Sequence, residues 1–464
     1  MTATEPRLSR SLPAAPPAAP VRIVHLGLGN FHRAHQAWYT AHATDAAAWG
    51  IAAFTGRRPD AALALAPQDG LYTLIVKGPD GDRLELLGAI SAVHPAGDHA
   101  AYLDYLRQTE VALVTLTVTE AAYLTDGAGG LRRTPEIEQD LASLRRDPAA
   151  PVGTLPARLV AGLLARRAAV AGPLTILSCD NLPDNGSVTA GVVRAFAAEV
   201  DPSLVDWIAE HVDFASSMVD RITPATTDAD RELVQQREHY LDAAPVPTEP
   251  FNEWVIAGAF PAGRPDWESA GARLVDDVTP FEQRKLWLLN GSHSLLAYAG
   301  SVRGHDSIDE AVADPACRGW VEALWDEAAR HLPLPATDIA AYRAALLDRY
   351  ANPRIRHRLA QIAADGSTKI VVRILPVLRA ERAAGRLPAG GATAIAGWIW
   401  HLRGRGAPVK DPGAEPYRAL VDVDDRSAVR AVLDLLDPGL GEDGELTALV
   451  VEQLAVVAGR VVAE

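Results

Sequence analysis

The segment VRIVHLGLGNFHRAH, residues 21–35, constrains the fold more than any other stretch of the chain. A short apolar run ends in two glycines, Gly27 and Gly29, and passes directly into a polar, helix-compatible stretch. That order is strand, tight turn, helix. A second apolar run, WGIAAFTG, follows after about 20 residues, the spacing of a βαβ unit.

Further buried strands are predicted at VALVTLTVTE (111–120) and LTILSCDN (174–181), with a helix at 155–171 before the second. LYTLIVK and LELLGAIS, joined by GPDGDR, read as a hairpin. Alternating strands and helices predict a mostly parallel, doubly wound sheet. From Pro280 onward helical patterns dominate, ending in ELTALVVEQLAVVAGRVVAE, which reads as one helix over 445–464. The expected class is α/β, a Rossmann-type dinucleotide-binding domain at 21–276 followed by a mainly helical substrate-binding domain at 277–464. The Pro- and Ala-rich stretch 1–20 is expected to be a disordered leader. The active site is expected in the cleft between the domains.

Composition narrows the partners. With 48% hydrophobic and 22% charged residues, 464 residues bury a sizeable core without staples. Two cysteines, Cys179 and Cys317, exclude a disulfide framework and a thiolate zinc site, and fit a reducing cytoplasm. A net charge of −15 argues against nucleic acid or an anionic membrane as the main partner. No apolar run reaches the roughly 18 residues of a membrane helix. A small molecule is the expected partner; oligomeric state stays open.

In the glycine turn, Gly27 permits the tight bend and Gly29 lets the backbone approach a pyrophosphate at the positive end of a helix. Asn30 and Phe31 complete the expected cofactor contacts. The usual third glycine is replaced by His32. His32 and His35 could share a helix face, but without HExxH or a thiolate partner they are read as packing residues, and no metal site is expected. After the second strand, Arg57 and Arg58 stand where an acid would hold the ribose. NAD is the expected coenzyme, with NADP left open and Arg57 a candidate contact.

KLWLLNGSH places Lys285, Asn290 and His293 at i, i+5 and i+8. On an α-helix they fall at roughly 0°, 140° and 80°, one broad sector among apolar neighbours. A lysine, an amide and an imidazole on an apolar helix are expensive to bury without purpose. The set suits carbinol–carbonyl interconversion. An unprotonated lysine takes the hydroxyl proton, and an asparagine N–H donates to the oxygen as charge grows on it. The histidine adds a second bond. Glu282, one turn earlier, either relays the proton to solvent or forms an exposed ion pair. Asn181 follows a strand at the sheet's carboxyl edge, where ligands of such sheets bind. Asp220 and Arg221, in DFASSMVDRITP, read by themselves as a structural ion pair rather than as site residues.

These segments resemble the mannitol dehydrogenase family of long-chain polyol dehydrogenases. The matching stretches are GLGNFHRAHQ, TVTE, SCDNLPDNG, DFASSMVDRITP, the run from FNEWVIAGAF to LLNGSHSLLAYAG, and ADGSTK. The resemblance implies a zinc-independent enzyme with Lys285 as general base, Asn181 and Asn290 as the oxyanion site, and His293 binding substrate. It also implies that Asp220 lines the site and that Glu282 gates proton release. The run NPRIRHRLAQIAADGSTKIVVR looks more like the fructuronate reductases (mannonate oxidoreductases) than the mannitol 2-dehydrogenases. Arg358, Lys369 and Arg373 in that run are therefore expected to meet a substrate carboxylate. Mannitol is the alternative substrate. A nicotinamide-binding sensor without turnover is the alternative from another class.

Overall fold

The computed structural model describes residues 5–459. The chain divides into two compact units, residues 1–279 and 280–464.

In the first unit, β1 (Val21–Leu26), β2 (Gly50–Phe54), β3 (Tyr72–Gly78), β4 (Gly81–Leu87), β5 (Ile90–His94), β6 (Leu113–Leu116), β7 (Leu174–Ser178), β8 (Val212–Asp220), β9 (Val246–Thr248), β10 (Glu253–Ala257) and β11 (Arg273–Leu274) follow in chain order. Eight form one sheet in the order β11-β10-β8-β7-β6-β1-β2-β5. From β8 to β5 all neighbours are parallel, while β10 runs antiparallel to β8 with Glu253 opposite Asp220. Alternation along the strands feeds two cores. Val24, Leu26, Ala52 and Phe54 pack on one face, and Ile23, Ile51 and Ala53 pack on the other with Tyr39, Trp254 and Trp267.

The hairpin exists, but it belongs to a separate three-stranded sheet, β4-β3-β9. Its second strand stops at Leu87, and the GAIS residues expected to extend it lead into β5 of the large sheet. Gly88 marks the change: a Cβ there would come within 2.4 Å of Pro16 Cγ.

That contact also corrects the expectation of a disordered leader. From Glu5 onward the leader is packed. Leu8 is fully buried among Leu71, Ile75, Val234 and Tyr240. The Arg10 guanidinium donates to the carbonyls of Pro16 at 2.5 Å, Gly88 at 2.9 Å and Ile90 at 2.8 Å. Proline and alanine read as disorder because they offer little apolar area. One leucine and one arginine with carbonyl partners supply the anchoring that composition hides.

One rod runs from Thr279, the last residue of the first unit, to Gly300 in the second. It is α-helical over Thr279–Arg284, π-helical over Lys285–Asn290, α-helical over Gly291–Leu295 and π-helical again over Leu296–Gly300. The helix Ala389–Leu402 is buried along nearly its whole length and approaches the Pro315–Ala329 helix closely, because a Cβ at Gly390 would lie 2.3 Å from Leu324 N. The C-terminal helix spans Gly444–Val457 and covers this core with Leu446, Val450 and Leu454. Residues 460–464, expected to continue it, lie outside the described residues.

Candidate active site

In the first unit, the carboxyl ends of β8, β7, β6 and β1, adjacent strands of the sheet, come together. Here the chain, having built outward from β1 to β2 and β5, crosses back to start β6 on the other side. Such a switch point opens a crevice. A cavity of about 580 Å³ lies there, lined by Phe31, Thr117–Ala121, Cys179, Asp180, Asn181 and Val219.

The two glycines of the turn do different work. Gly27 sits at φ +109°, and a Cβ on it would fall 1.9 Å from the Thr117 carbonyl oxygen, so the fold itself requires glycine. Gly29 is extended, at φ −149°, and a Cβ there would meet nothing nearer than 3.7 Å. Neither packing nor conformation demands glycine at 29. Its bareness leaves backbone open to a ligand, which fits a dinucleotide phosphate.

Asn30 is committed elsewhere. Its amide donates to Thr226 Oγ1 at 3.2 Å and Pro224 O at 3.3 Å and accepts from Arg33 at 2.6 Å, tying the turn to the segment after β8. Phe31 stacks on His35 at 5.1 Å and lines the cavity. The missing third glycine is explained by His32, which is fully buried and stacks on His25 at 3.4 Å. Burial holds both imidazoles neutral, with His25 pushed down to about 3. His35 donates through Nε2 to the Glu253 carbonyl at 3.0 Å. Arg57 is exposed beyond β2.

Asp220 is buried at the end of β8. Its neighbour Arg221 is structural: the guanidinium donates to Ala34 O at 2.5 Å and Glu249 O at 3.2 Å and lies over the Trp38 ring. Asn181 is exposed at the cavity wall.

Sequence reasoning missed Asp180, beside Asn181. Its carboxylate accepts from the buried Tyr123 hydroxyl and from Leu182 N, and its backbone carbonyl accepts from Asn185 Nδ2. The sole hint was an acid directly after a buried strand. Burial raises its carboxyl from 3.8 to about 6. The folded state therefore holds a proton that the unfolded chain releases, so this group's stabilisation is complete below about pH 4 and lost as pH rises through 6. The loss amounts to about 3 kcal/mol. Asp180→Asn should gain on wild type by that order between pH 4 and 7 in urea unfolding. Parallel stability curves for the two proteins would refute it.

In the second unit, the rod carries Lys285, Asn290 and His293. Lys285 and Asn290 are half-buried, whereas His293 is buried beside Tyr350, ring centroids 5.1 Å apart, and meets His357 edge-on at 5.2 Å. The sequence expectation assumed an α-helix. In the π segment each N–H reaches five residues back, as Gly291 does to Leu286. Residue i+5 then stacks near residue i, so Lys285 and Asn290 lie closer together around the axis than 140° implies. Glu282 lies one turn earlier, half-buried.

Of the three cations expected to meet a carboxylate, Arg358 is exposed. Lys369 and Arg373 share one helix, Gly366–Arg373. Burial first, and the Arg373 charge second, lower the Lys369 amine. Lys369 donates to Ile362 O at 3.1 Å, and Arg373 Nη1 to Asn290 O at 3.4 Å and Ser294 Oγ at 3.2 Å.

Among the described residues, one group has metal-ligand geometry: His305, Asp314 and Cys317. Asp314 is already paired with Arg303 at 2.6 Å and His305 at 3.0 Å, and burial pushes the Cys317 thiol up to about 12. It is an ion-pair cluster packed on a thiol.

The mannitol dehydrogenase Rossmann domain matches residues 21–269, and the mannitol dehydrogenase C-terminal domain matches residues 277–458. The chain belongs to the mannitol dehydrogenase family. It is 39% identical to the D-mannonate oxidoreductase of Escherichia coli K12 over 394 residues, 82% of this chain and 80% of that one. It is 37% identical to the mannitol 2-dehydrogenase of Cereibacter sphaeroides over 411 residues, 86% and 85% of the two chains. The Pseudomonas fluorescens mannitol 2-dehydrogenase, solved as a ternary complex with NAD and D-mannitol, superposes with a TM-score of 0.78 at 34% identity, covering 98% of this chain and 96% of that one. Members of this family are oxidoreductases acting on polyols and sugar acids. Among the described residues, no helix is long and apolar enough to cross a membrane.

Proposed function

We propose that this protein interconverts a secondary alcohol of a linear sugar acid and the matching ketone with NAD(H), D-mannonate and D-fructuronate being the preferred pair. The observation that carries the chemistry is the π segment that begins at Lys285 and ends at Asn290, with His293 just beyond.

Bound NAD supplies the hydride acceptor. In oxidation, Lys285 Nζ takes the hydroxyl proton as the C–H bond breaks and the C=O bond forms. Asn290 and Asn181 donate to the oxygen while it carries charge, and His293 fixes the substrate's orientation. Asp220 is assigned to the substrate site and Glu282 to passing the proton outward. Gly29 leaves backbone bare for the coenzyme's phosphates, with Phe31 beside it, and Arg57 stands where the adenosine ribose is held in such folds.

Lys369 and Arg373 favour an anionic substrate. Two cations share one short helix, and the Lys369 amine is lowered first by burial and then by the Arg373 charge, with Asp365 and Asp411 opposing. A carboxylate relieves that repulsion. The second reading, a neutral polyol such as mannitol, is favoured by Arg373 Nη1, which already donates to Asn290 O and Ser294 Oγ.

A panel of D-mannonate and D-mannitol with NAD and NADP, followed by reduced-coenzyme absorbance, decides between them. Faster turnover with mannonate and NAD is expected, and faster turnover with mannitol transfers the assignment to the neutral polyol. Turnover with neither, alongside tight NADH binding, would make the protein a sensor and overturn the catalytic reading.

A further inference from the structure

A π-helical turn is rare and is found mostly where function requires it. It leaves carbonyl groups without their usual α-helical donors, and such groups are costly when buried. In this rod the Leu288 and Leu289 carbonyls accept from side chains, and Leu288 O accepts from the Gly291 backbone N–H as well. Trp325 Nε1 donates to Leu288 O at 2.9 Å, and Tyr350 Oη donates to Leu289 O at 3.2 Å. Ser292 Oγ reaches Leu288 O at 2.5 Å and Leu289 O at 3.1 Å, and lies 2.7 Å from Tyr350 Oη.

A serine bonding to the carbonyl four residues back is ordinary in a helix. Three side chains converging on two successive carbonyls, inside the turn that carries the proposed base, are not. Tyr350 and Trp325 come from two other helices, Ala336–Tyr350 and Pro315–Ala329. Tyr350 is 2% exposed and Ser292 and Trp325 are fully buried.

We propose that Ser292, Tyr350 and Trp325 are positioning residues: they clamp the Leu288 and Leu289 carbonyls, hold the rod in its π form, and so set the Lys285 amine beside the Asn290 amide. The inference rests on the assignment of Lys285 as the base. Without the clamp, the segment relaxes towards an α-helix. Each residue past the turn then rotates relative to Lys285, and Asn290 moves off its face.

Tyr350→Phe and Ser292→Ala remove the hydroxyls with little change of volume, and both are expected to fold. Two readouts are needed. The first is steady-state kinetics, in which kcat should fall about ten- to a hundredfold while KM and NADH affinity stay within about twofold. The double variant should lose little more than either single one, because both hydroxyls serve one clamp. The second is independent of turnover: the rate at which an amine-reactive reagent labels Lys285 as a function of pH, read by peptide mass spectrometry. Its midpoint should shift in both variants and stay put in a control, Glu322→Gln, on the exposed side of the Pro315–Ala329 helix.

Unchanged kcat with an unchanged labelling midpoint would overturn the clamp, as would a fall in kcat with labelling superimposed on wild type. A shifted midpoint with wild-type turnover would support the clamp and remove Lys285 from the reaction.

Discussion

Lys285→Ala is expected to lower kcat by about a thousandfold, within the range that a positioned acid–base group contributes. NADH affinity should stay near wild type, since the glycine turn and cavity that would hold the coenzyme lie in the first unit. The direction of the pH dependence follows from the same role. Oxidation requires the amine without its proton, so the oxidative rate should rise with pH. Reduction requires the protonated amine, so the reverse rate should fall over the same interval. Both slopes should vanish in the alanine variant, and a small exogenous amine should restore part of the oxidative rate. Stopped-flow and steady-state assays in both directions test this. A variant with more than about a tenth of wild-type turnover would remove Lys285 from the base's role.

Much of the fold was legible because its strongest signals are local. β1, β2, β6 and β7 are short runs dominated by apolar and β-branched residues, and a parallel sheet buried on both faces leaves such a trace. β8 and β10 were not read as strands. DFASSMVD mixes serine and aspartate with apolar residues, and its place between β7 and β10 rests on contacts distant in sequence, such as the antiparallel pairing of Asp220 with Glu253. The packed leader was hidden for a similar reason. Arg10 is an ordinary surface residue by type, and the carbonyls it reaches at Gly88 and Ile90 lie far along the chain.

In the candidate site, residue types were legible and geometry was not. The K-x₄-N-x₂-H spacing named Lys285, Asn290 and His293, but an α-helical wheel placed the first two 140° apart. The π turn depends on Trp325 and Tyr350, which no local pattern connects to the rod. Arg373 shows the converse limit. Its charge and neighbourhood suggest a carboxylate partner, and the sequence gives no sign that its Nη1 also bonds to the Asn290 carbonyl. Asp180 went unremarked because a strand-end aspartate is common, and its raised carboxyl follows from burial that sequence does not display.

Gly27→Ala and Gly29→Ala, made as a pair, should separate what the turn does for the fold from what it does for a ligand. At Gly27 the new methyl would lie 1.9 Å from the Thr117 carbonyl oxygen and 2.7 Å from its carbonyl carbon. Both atoms belong to the backbone immediately after β6, and Gly27 N–H is itself bonded to Phe54 O at 2.9 Å. Neither side can yield without pulling β1 from β6 or β2, and φ +109° is strained for any L side chain. The expected cost is at least about 4–5 kcal/mol, the exceptional end of single substitutions, and the protein should be recovered mostly unfolded or aggregated. Gly29→Ala meets no such obstacle and should change stability by less than about 1 kcal/mol. Its methyl would nonetheless project into the space left open over the turn, and NADH affinity should fall at least about tenfold. Circular dichroism melts and NADH fluorescence titrations read the two effects. A well-folded Gly27→Ala would mean that the close approach of the turn to Thr117 is wrong, whereas undiminished NADH binding by Gly29→Ala would place the coenzyme's phosphates somewhere other than this turn.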